Sequence, residues 1–312
     1  MSTLFYILGY LAVAGFFCMA YLKIKSYLAS SPLHVRWELY PVPHEGSKTV
    51  YGGSFMEEKD WWTKPRHVEH MGDVKALLTE VLFLHATFEH NLKLWVRTYP
   101  FHVGMYMLMG GTIVVLCSAI AQLLGMNPQG GLMTFVGNVI SACALAGTVC
   151  IIVGGISLVL RRRADEGLRR YSTPEHYFNL LVFVLFGVLG LAAWASAPSY
   201  FELARTFMYN LITFNFAPQT SVLFALHLLV GFFLLIWIPM THMGHVFMKY
   251  FTYHDIRWGD DPTSFNAKNQ QKIMDALKYN VTWSAEHIAG DGQPKTWVDV
   301  ATTNPAAPKK ED

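Results

Sequence analysis

Charged residues are scarce in this sequence, and two long stretches have none at all. Only 15% of its 312 residues are Asp, Glu, Lys or Arg, whereas a soluble domain carries about 25%. Residues 101–160 and 206–248 lack all four residue types. Because a surface facing water cannot be built from such stretches, an ordinary soluble protein and a disordered chain are both excluded. The net charge of +2 gives no extended basic face, which excludes nucleic-acid binding. The composition predicts a polytopic membrane protein.

Cysteine motifs and intramembrane carboxylates are also missing. Apart from Glu175 and Glu202 near span ends, no acidic residue lies in an apolar run, and ion-coupled transporters usually hold one there. A CxxC or CxxCH motif is absent, so an iron–sulfur cluster and a c-type haem are not expected. All four cysteines fall within apolar runs, where we interpret them as packing residues: Cys18, Cys117, Cys143 and Cys150.

Five apolar runs are long enough to cross a bilayer, which takes about 20 residues. They cover residues 4–22, 101–124, 132–160, 177–196 and 220–240, and the last stays largely apolar to 251. Lysine and arginine follow the first, third and fifth runs, whereas the other connections carry little charge. This bias predicts an N-terminus outside and a C-terminus in the cytoplasm. The first run has no basic segment before it, so we expect a retained anchor and a mature protein that comprises the whole chain.

The runs divide the chain into four segments. Residues 1–24 form the first transmembrane helix, and residues 25–100 form a cytoplasmic loop with an amphipathic helix at 74–88. That helix is expected either to lie flat at the membrane surface or to dock a partner. Residues 101–251 form a four-helix membrane core, and residues 252–312 form a polar cytoplasmic tail suited to gripping a soluble partner.

Histidines within this core carry the main functional signal. An imidazole in hydrocarbon is costly unless it has a partner. His102 begins the second span and His245 ends the fifth, so two helices present one imidazole each on the cytoplasmic side, as a b-type haem with two axial histidines requires. His227 precedes His245 by 18 residues. This is five turns of one helix, so His227 would lie on the same face and about 27 Å away.

Two further features leave alternatives open. Gly104, Gly231 and Gly244 lie beside these histidines and would let a porphyrin approach the backbone, although close helix packing explains such glycines equally well. His242 and His245, three residues apart, could instead bind a transition metal, but only two ligands are visible.

Three segments resemble the gamma subunit of respiratory nitrate reductase, a five-span cytochrome b with two haems. They are FHVGMYMLMGGT (101–112), RRRADEGLRRYSTPEHYFNLL (161–181) and LHLLVGFFLLIWIPMTHMGH (226–245). The first loop, with PLHVRWELYPVPHEG, and the tail, with VTWSAEHIAGDGQPKTWVDVAT, have no counterpart there. They are similar to related cytochrome b subunits that anchor heterodisulfide-reductase-like iron–sulfur proteins. Such subunits occur in the sulfite-reduction-associated and type II cytochrome c3-linked complexes, and that branch is the nearer resemblance.

The resemblance implies specific haem ligands. His102 and His245 would hold the haem nearest the cytoplasm, and His227 would be a candidate ligand of the distal haem. The family's other distal ligand lies ten residues after the first, where this chain has Thr112. The second haem would then be five-coordinate, use a sulfur ligand such as Met109, draw a ligand from elsewhere, or be absent. The quinone-binding residues are unassigned for the same reason.

These observations lead to one main hypothesis. The chain would be a multi-pass subunit of a bacterial or archaeal inner membrane, passing electrons through haem b between menaquinone and a cytoplasmic iron–sulfur subunit of heterodisulfide-reductase type. Further membrane subunits, a periplasmic cytochrome c and membrane lipid are the other expected partners. The chain would be the electron-transfer subunit of an oxidoreductase, with the terminal chemistry on a partner. Two alternatives are a haem-free membrane anchor and a metal or solute carrier that uses His242 and His245.

Overall fold

A computed structural model describes residues 2–29, 47–48, 50–51, 57–65, 69–218, 221–245, 267–283 and 293–303. Within these residues the chain is helical and has no strands, apart from one isolated antiparallel bridge between Asn280 and Thr296. Five of the described helices are long and apolar enough to cross a membrane. The predicted fold class, an all-α bundle of five transmembrane helices, is therefore confirmed. The direction in which the bundle sits in the membrane stays a prediction.

The spanning helices are α1 (Ser2–Leu28), α4 (Leu92–Leu123), α5 (Gly131–Ala164), α7 (Pro174–Ser196) and α9 (Val222–Met240). The shorter helices are α2 (His70–Phe83), α3 (His85–His90), α6 (Glu166–Tyr171), α8 (Tyr200–Ile212), α10 (Ala267–Ala276) and α11 (Trp297–Thr302). Two single turns of 3-10 helix lie at Trp61–Thr63 and His242–Gly244.

The second spanning helix starts earlier than its apolar run. Helix α4 begins at Leu92, where the Asn91 side chain accepts a hydrogen bond from the Leu94 N–H (3.0 Å). It continues through Pro100, which removes one backbone donor without ending the helix. The apolar run marks only the part of the helix that is suited to the hydrocarbon core of the bilayer, whereas the N-terminal cap sets where the helix starts.

The predicted amphipathic helix is broken into two. Leu84 has a left-handed backbone (φ 50°) and separates α2 from α3. The Glu80 carboxylate then accepts a hydrogen bond from the Ala86 N–H at 2.9 Å, so a side chain from α2 caps the start of α3. The apolar spacing predicted the helical conformation but gave no sign of this local break.

Helix α9 ends where its apolar run was predicted to end and does not reach His245. It ends at Met240, one residue after Pro239, and Thr241 is extended (φ −106°, ψ −179°) before the 3-10 turn begins. His245 therefore does not continue the helix that carries His227, and the expected five-turn register between these histidines is wrong. Residues 246–251, over which this run was expected to stay largely apolar, lie outside the described residues.

Close backbone contacts hold α4, α5 and α7 together. A Cβ at Gly104 would lie 2.6 Å from the Gly147 carbonyl oxygen, and one at Gly154 would lie 2.7 Å from the Phe101 backbone nitrogen. Gly104 thus faces a neighbouring helix, which supports helix packing as its role. A buried cluster surrounds these contacts and comprises Phe101, Ile151, Val182, Phe183 and Leu234.

The connection between the fourth and fifth spans contains a helix, α8, that hydropathy did not predict. Phe201 of α8 is buried and lies against Gly137 of α5, where an added Cβ would come within 2.7 Å of its ring. Phe207 packs with Tyr6 of α1 and Phe224 of α9. Helix α8 therefore contacts several spanning helices at one end of the bundle, which we call the α8 end.

The chain divides into two compact units, Met1–Tyr21 with Leu78–Gly244, and Leu22–Leu77 with His245–Asp312. The first unit contains the bundle described above. In the second unit, the Lys272 ammonium of α10 donates a hydrogen bond to the Leu28 carbonyl at 2.9 Å. Helix α11 begins with a reciprocal cap between Thr296 and Asp299. The predicted tail (252–312) thus includes ordered elements among its described residues.

Candidate functional site

His102 lies in the third turn of α4 and is partly buried. Its Nδ1 lies 2.8 Å from the Thr98 carbonyl oxygen and 3.3 Å from the Thr98 hydroxyl. A carbonyl only accepts hydrogen bonds, so Nδ1 carries the ring proton and Nε2 carries the lone pair. Histidines that bind iron are commonly held in this tautomer by a carbonyl partner. The side chain therefore fits the role of an axial haem ligand.

The residues next to His102 fix its position. Phe101 is buried, and its ring lies 5.3 Å from the Phe183 ring in an edge-to-face arrangement. On the other side, the Tyr106 hydroxyl donates to the Val81 carbonyl and so ties α2 to α4. Because both neighbours are anchored, the rotation of α4 and the direction of the His102 side chain are determined by packing.

His245 is exposed and directly follows the 3-10 turn. It begins the C-terminal segment of the second unit, whereas His102 belongs to the first unit. Their pairing across a haem stays a prediction.

His227 is the most buried histidine among the described residues, with 5% of its surface exposed. Its Nδ1 lies 3.0 Å from the Phe186 carbonyl oxygen of α7, and its Nε2 lies 3.2 Å from the Tyr200 hydroxyl of α8. The Phe186 ring stacks on the imidazole with ring centres 4.2 Å apart. Both ring nitrogens are thus within hydrogen-bonding distance of residues on other helices.

A glycine makes room for this imidazole. A Cβ at Gly190 would lie 2.9 Å from His227 Cε1 and 3.1 Å from Nδ1, so any other residue would collide with the ring. Gly231, for which either a porphyrin or close helix packing was considered, faces the Phe186 ring of α7, with an added Cβ at 3.2 Å. The packing around His227 is close on these sides.

The two α4 positions considered for a second ligand both face outward. Met109 is 59% exposed, which in a membrane places its sulfur toward lipid. Thr112 is exposed as well, and its hydroxyl donates to the Leu108 carbonyl of its own helix at 2.8 Å. Neither side chain points into the part of the bundle that holds His227.

His176 and His242 both make contacts near the start of α7. The Thr173 backbone N–H donates to His176 Nδ1 at 3.0 Å, so His176 caps the start of α7. The His242 ring lies 5.2 Å from the His176 ring, and its Nδ1 is 3.5 Å from a Glu175 carboxylate oxygen. No group of three or more metal-binding side chains occurs in the described part of the chain. The alternative of a metal carrier that uses His242 and His245 stays untested.

Several polar residues that sequence analysis missed line the bundle. Arg205 is 4% exposed and binds the Glu202 carboxylate and the Gln122 side-chain oxygen, which joins α8 to α4. Asn179 is also buried and accepts a hydrogen bond from the Trp237 indole at 2.7 Å, while its Nδ2 has no hydrogen-bond partner within the described structure. The charges at Glu202 and Arg205 were visible in the sequence, but they resembled a loop rather than a buried pair.

Comparison with known proteins gives one match. The family described as nitrate reductase gamma subunit matches residues 86–258, which is more than half of the chain and includes all of α4, α5, α7, α8 and α9. No curated protein and no solved structure matches.

Proposed function

We propose that this chain, which belongs to the nitrate reductase gamma subunit family, passes electrons between menaquinone and a cytoplasmic iron–sulfur subunit. Membership establishes the coarser part of this statement. The chain is an integral membrane subunit of a respiratory oxidoreductase complex, a cytochrome that binds b-type haem and uses quinone. The nature of the quinone, the identity of the iron–sulfur partner and the residues that bind haem are our proposals.

The observation that carries the proposal is the state of His102. Its Nδ1 proton is directed to the Thr98 carbonyl, so Nε2 is the nitrogen with a lone pair for iron. We assign His245 as the opposite ligand on the grounds of family resemblance and its place after the fifth span. A haem held there supplies a centre that takes up and releases single electrons. The buried Phe101 and Phe183 exclude water from the neighbouring core.

The choice of partner rests on the two ends of the sequence that the family match does not include. The first loop and the tail resemble segments of subunits that anchor heterodisulfide-reductase-like proteins. Much of the first loop lies outside the described residues. In the described tail, Trp283 and Trp297 are 51% and 41% exposed, and exposed aromatic side chains of this kind are frequent where proteins bind one another. A periplasmic cytochrome c would be a further partner of the same complex.

Haem content tests this proposal. In the purified complex, His102→Ala is expected to lose the haem that His102 binds, because alanine offers no ligand. His90→Ala, an exposed histidine at the end of α3, is the matched control and should keep the wild-type haem content. The measurement is a pyridine haemochrome assay with haem counted per polypeptide.

Two results would favour the alternatives. A colourless wild-type protein that still assembles with its partners would identify a haem-free anchor. Stoichiometric zinc or copper without a haem spectrum, lost on His242→Ala, would identify a metal carrier. An unchanged haem count in His102→Ala would contradict the assignment of His102.

A further inference from the structure

We infer that His227 binds no haem and instead joins α7, α8 and α9 through hydrogen bonds, so that the chain carries a single haem, at the His102 end. This inference rests on the proposed function, since it concerns how many haems the cytochrome holds. It selects one of the arrangements that the sequence leaves open.

The first argument is the use of the two ring nitrogens. A neutral imidazole has one N–H and one lone pair. The Phe186 carbonyl can only accept, so the proton is on Nδ1 and the lone pair is on Nε2. The Tyr200 hydroxyl, 3.2 Å away, donates to that lone pair. Iron would need the same lone pair, so the hydrogen bond from Tyr200 and a bond to iron exclude each other.

Tyr200 is well suited to be a permanent donor. Burial raises the pKa of Tyr200 to about 12, so its hydroxyl keeps its proton at any physiological pH. It is the first residue of α8, and Ser199 caps this helix by accepting from the Glu202 N–H at 3.3 Å. The hydroxyl is therefore presented to His227 by an ordered helix start.

The second argument is that Tyr200 cannot leave without disturbing α8. The next residue, Phe201, is 2% exposed and lies against Gly137 of α5. One turn later, the buried Arg205 binds Glu202 of its own helix and Gln122 of α4. A backbone shift that carried Tyr200 away from Nε2 would have to break these contacts.

The third argument is that the part of the chain described by the structure offers no ligand opposite His227. Met109 and Thr112 face away from the bundle. The other histidines whose side chains the structure describes lie in α3, in α4 (His102), at the start of α7, or just after the end of α9. Gln122 of α4 reaches α8, and His102 lies 20 residues earlier on the same helix. This spacing puts His102 about 30 Å from the α8 end along the helix axis.

The experiment is a haem count and a redox titration on the purified complex containing the full chain. We expect one haem per chain. The redox titration, followed by the absorbance of the haem α-band, should show one single-electron transition. His227→Gln is expected to keep that haem and its potential while its melting temperature falls by a few degrees, because two interhelical hydrogen bonds are weakened. His102→Ala is expected to lose the haem.

Two haems in the wild-type chain would overturn the inference and leave the proposed function intact. Loss of haem in His227→Gln while His102→Ala keeps it would also overturn the inference. If His227→Gln fails to assemble, the wild-type count and the His102→Ala variant still decide, because the count needs no variant at position 227. A wild-type chain without haem would overturn both the single-haem count and the proposed function.

Discussion

The two ends of the bundle are held together by different kinds of contact. At the α8 end, polar side chains cross between helices: Tyr200 with His227, and Arg205 with Gln122. Toward His102, helices meet through glycines and phenylalanines, and the histidine proton is satisfied by its own helix. A histidine whose partners come from other helices is part of the scaffold. The hydrogen bond from His102 Nδ1 stays within α4, so it does not join one helix to another.

Removing the buried arginine should have the largest effect at the α8 end. Breaking a buried ion pair costs about 3–5 kcal/mol, and the half-exposed Glu202 places Arg205→Ala near the lower value. We expect a lower melting temperature and proteolytic cutting within α8. Arg170→Ala is the control, since its pair with Glu166 is exposed and such helical pairs contribute about 0.3–0.5 kcal/mol. Equal stability of the two variants would mean that Arg205 does not hold α8 in place.

A larger residue at Gly104 should disrupt the other end. The added Cβ of Gly104→Val would collide with the Gly147 carbonyl and with Ile151, so a cost near the upper value of about 1–3 kcal/mol is expected. Gly110→Val, in the same helix, adds a side chain where no atom lies within 4 Å. The comparison is made by fluorescence-detected size exclusion after heating. A Gly104→Val protein as stable as Gly110→Val would contradict the close packing of α4 and α5.

The smallest effect is expected for Tyr200→Phe, which removes only one hydroxyl. The lost hydrogen bond should lower the free energy of unfolding by about 1 kcal/mol at neutral pH. The pKa of Tyr200 is about 12 in the folded protein, above its ordinary value of 10.0. Its contribution is therefore complete below pH 10.0 and is lost as the pH rises through about 12. The stability difference between wild type and Tyr200→Phe should shrink over that interval in thermal unfolding scans, and a constant difference would contradict this role.

Much of the fold followed from the sequence because hydropathy reports what faces lipid. All five spans were predicted for that reason. Helix ends depend on local chemistry instead. The Asn91 cap, the left-handed Leu84 and the extended Thr241 after Pro239 each moved or divided a helix without changing the apolar pattern.

Helix α8 and the contacts of His227 show why the other parts of the fold and of the site could not be predicted from the sequence. With 13 residues, α8 is too short to resemble a span, and its two charges suggested solvent. The carbonyl that His102 Nδ1 contacts lies four residues away on the same helix, so helical geometry alone brings these two groups together. The partner of His227 lies 27 residues away on another helix, and only tertiary packing reveals that its Nε2 is in use.

The hydrogen bond between Tyr200 and His227 has a consequence for energy conservation. With the single haem that we infer, and in the predicted orientation of the bundle, the haem would lie near the cytoplasmic face. A quinol would then be oxidised on that face, and its protons and electrons would leave on the same side. Moving one elementary charge across a membrane costs or releases about 2.3 kcal/mol for each 100 mV of membrane potential. Turnover of this subunit would move no charge across the membrane, so it would neither build nor consume the membrane voltage.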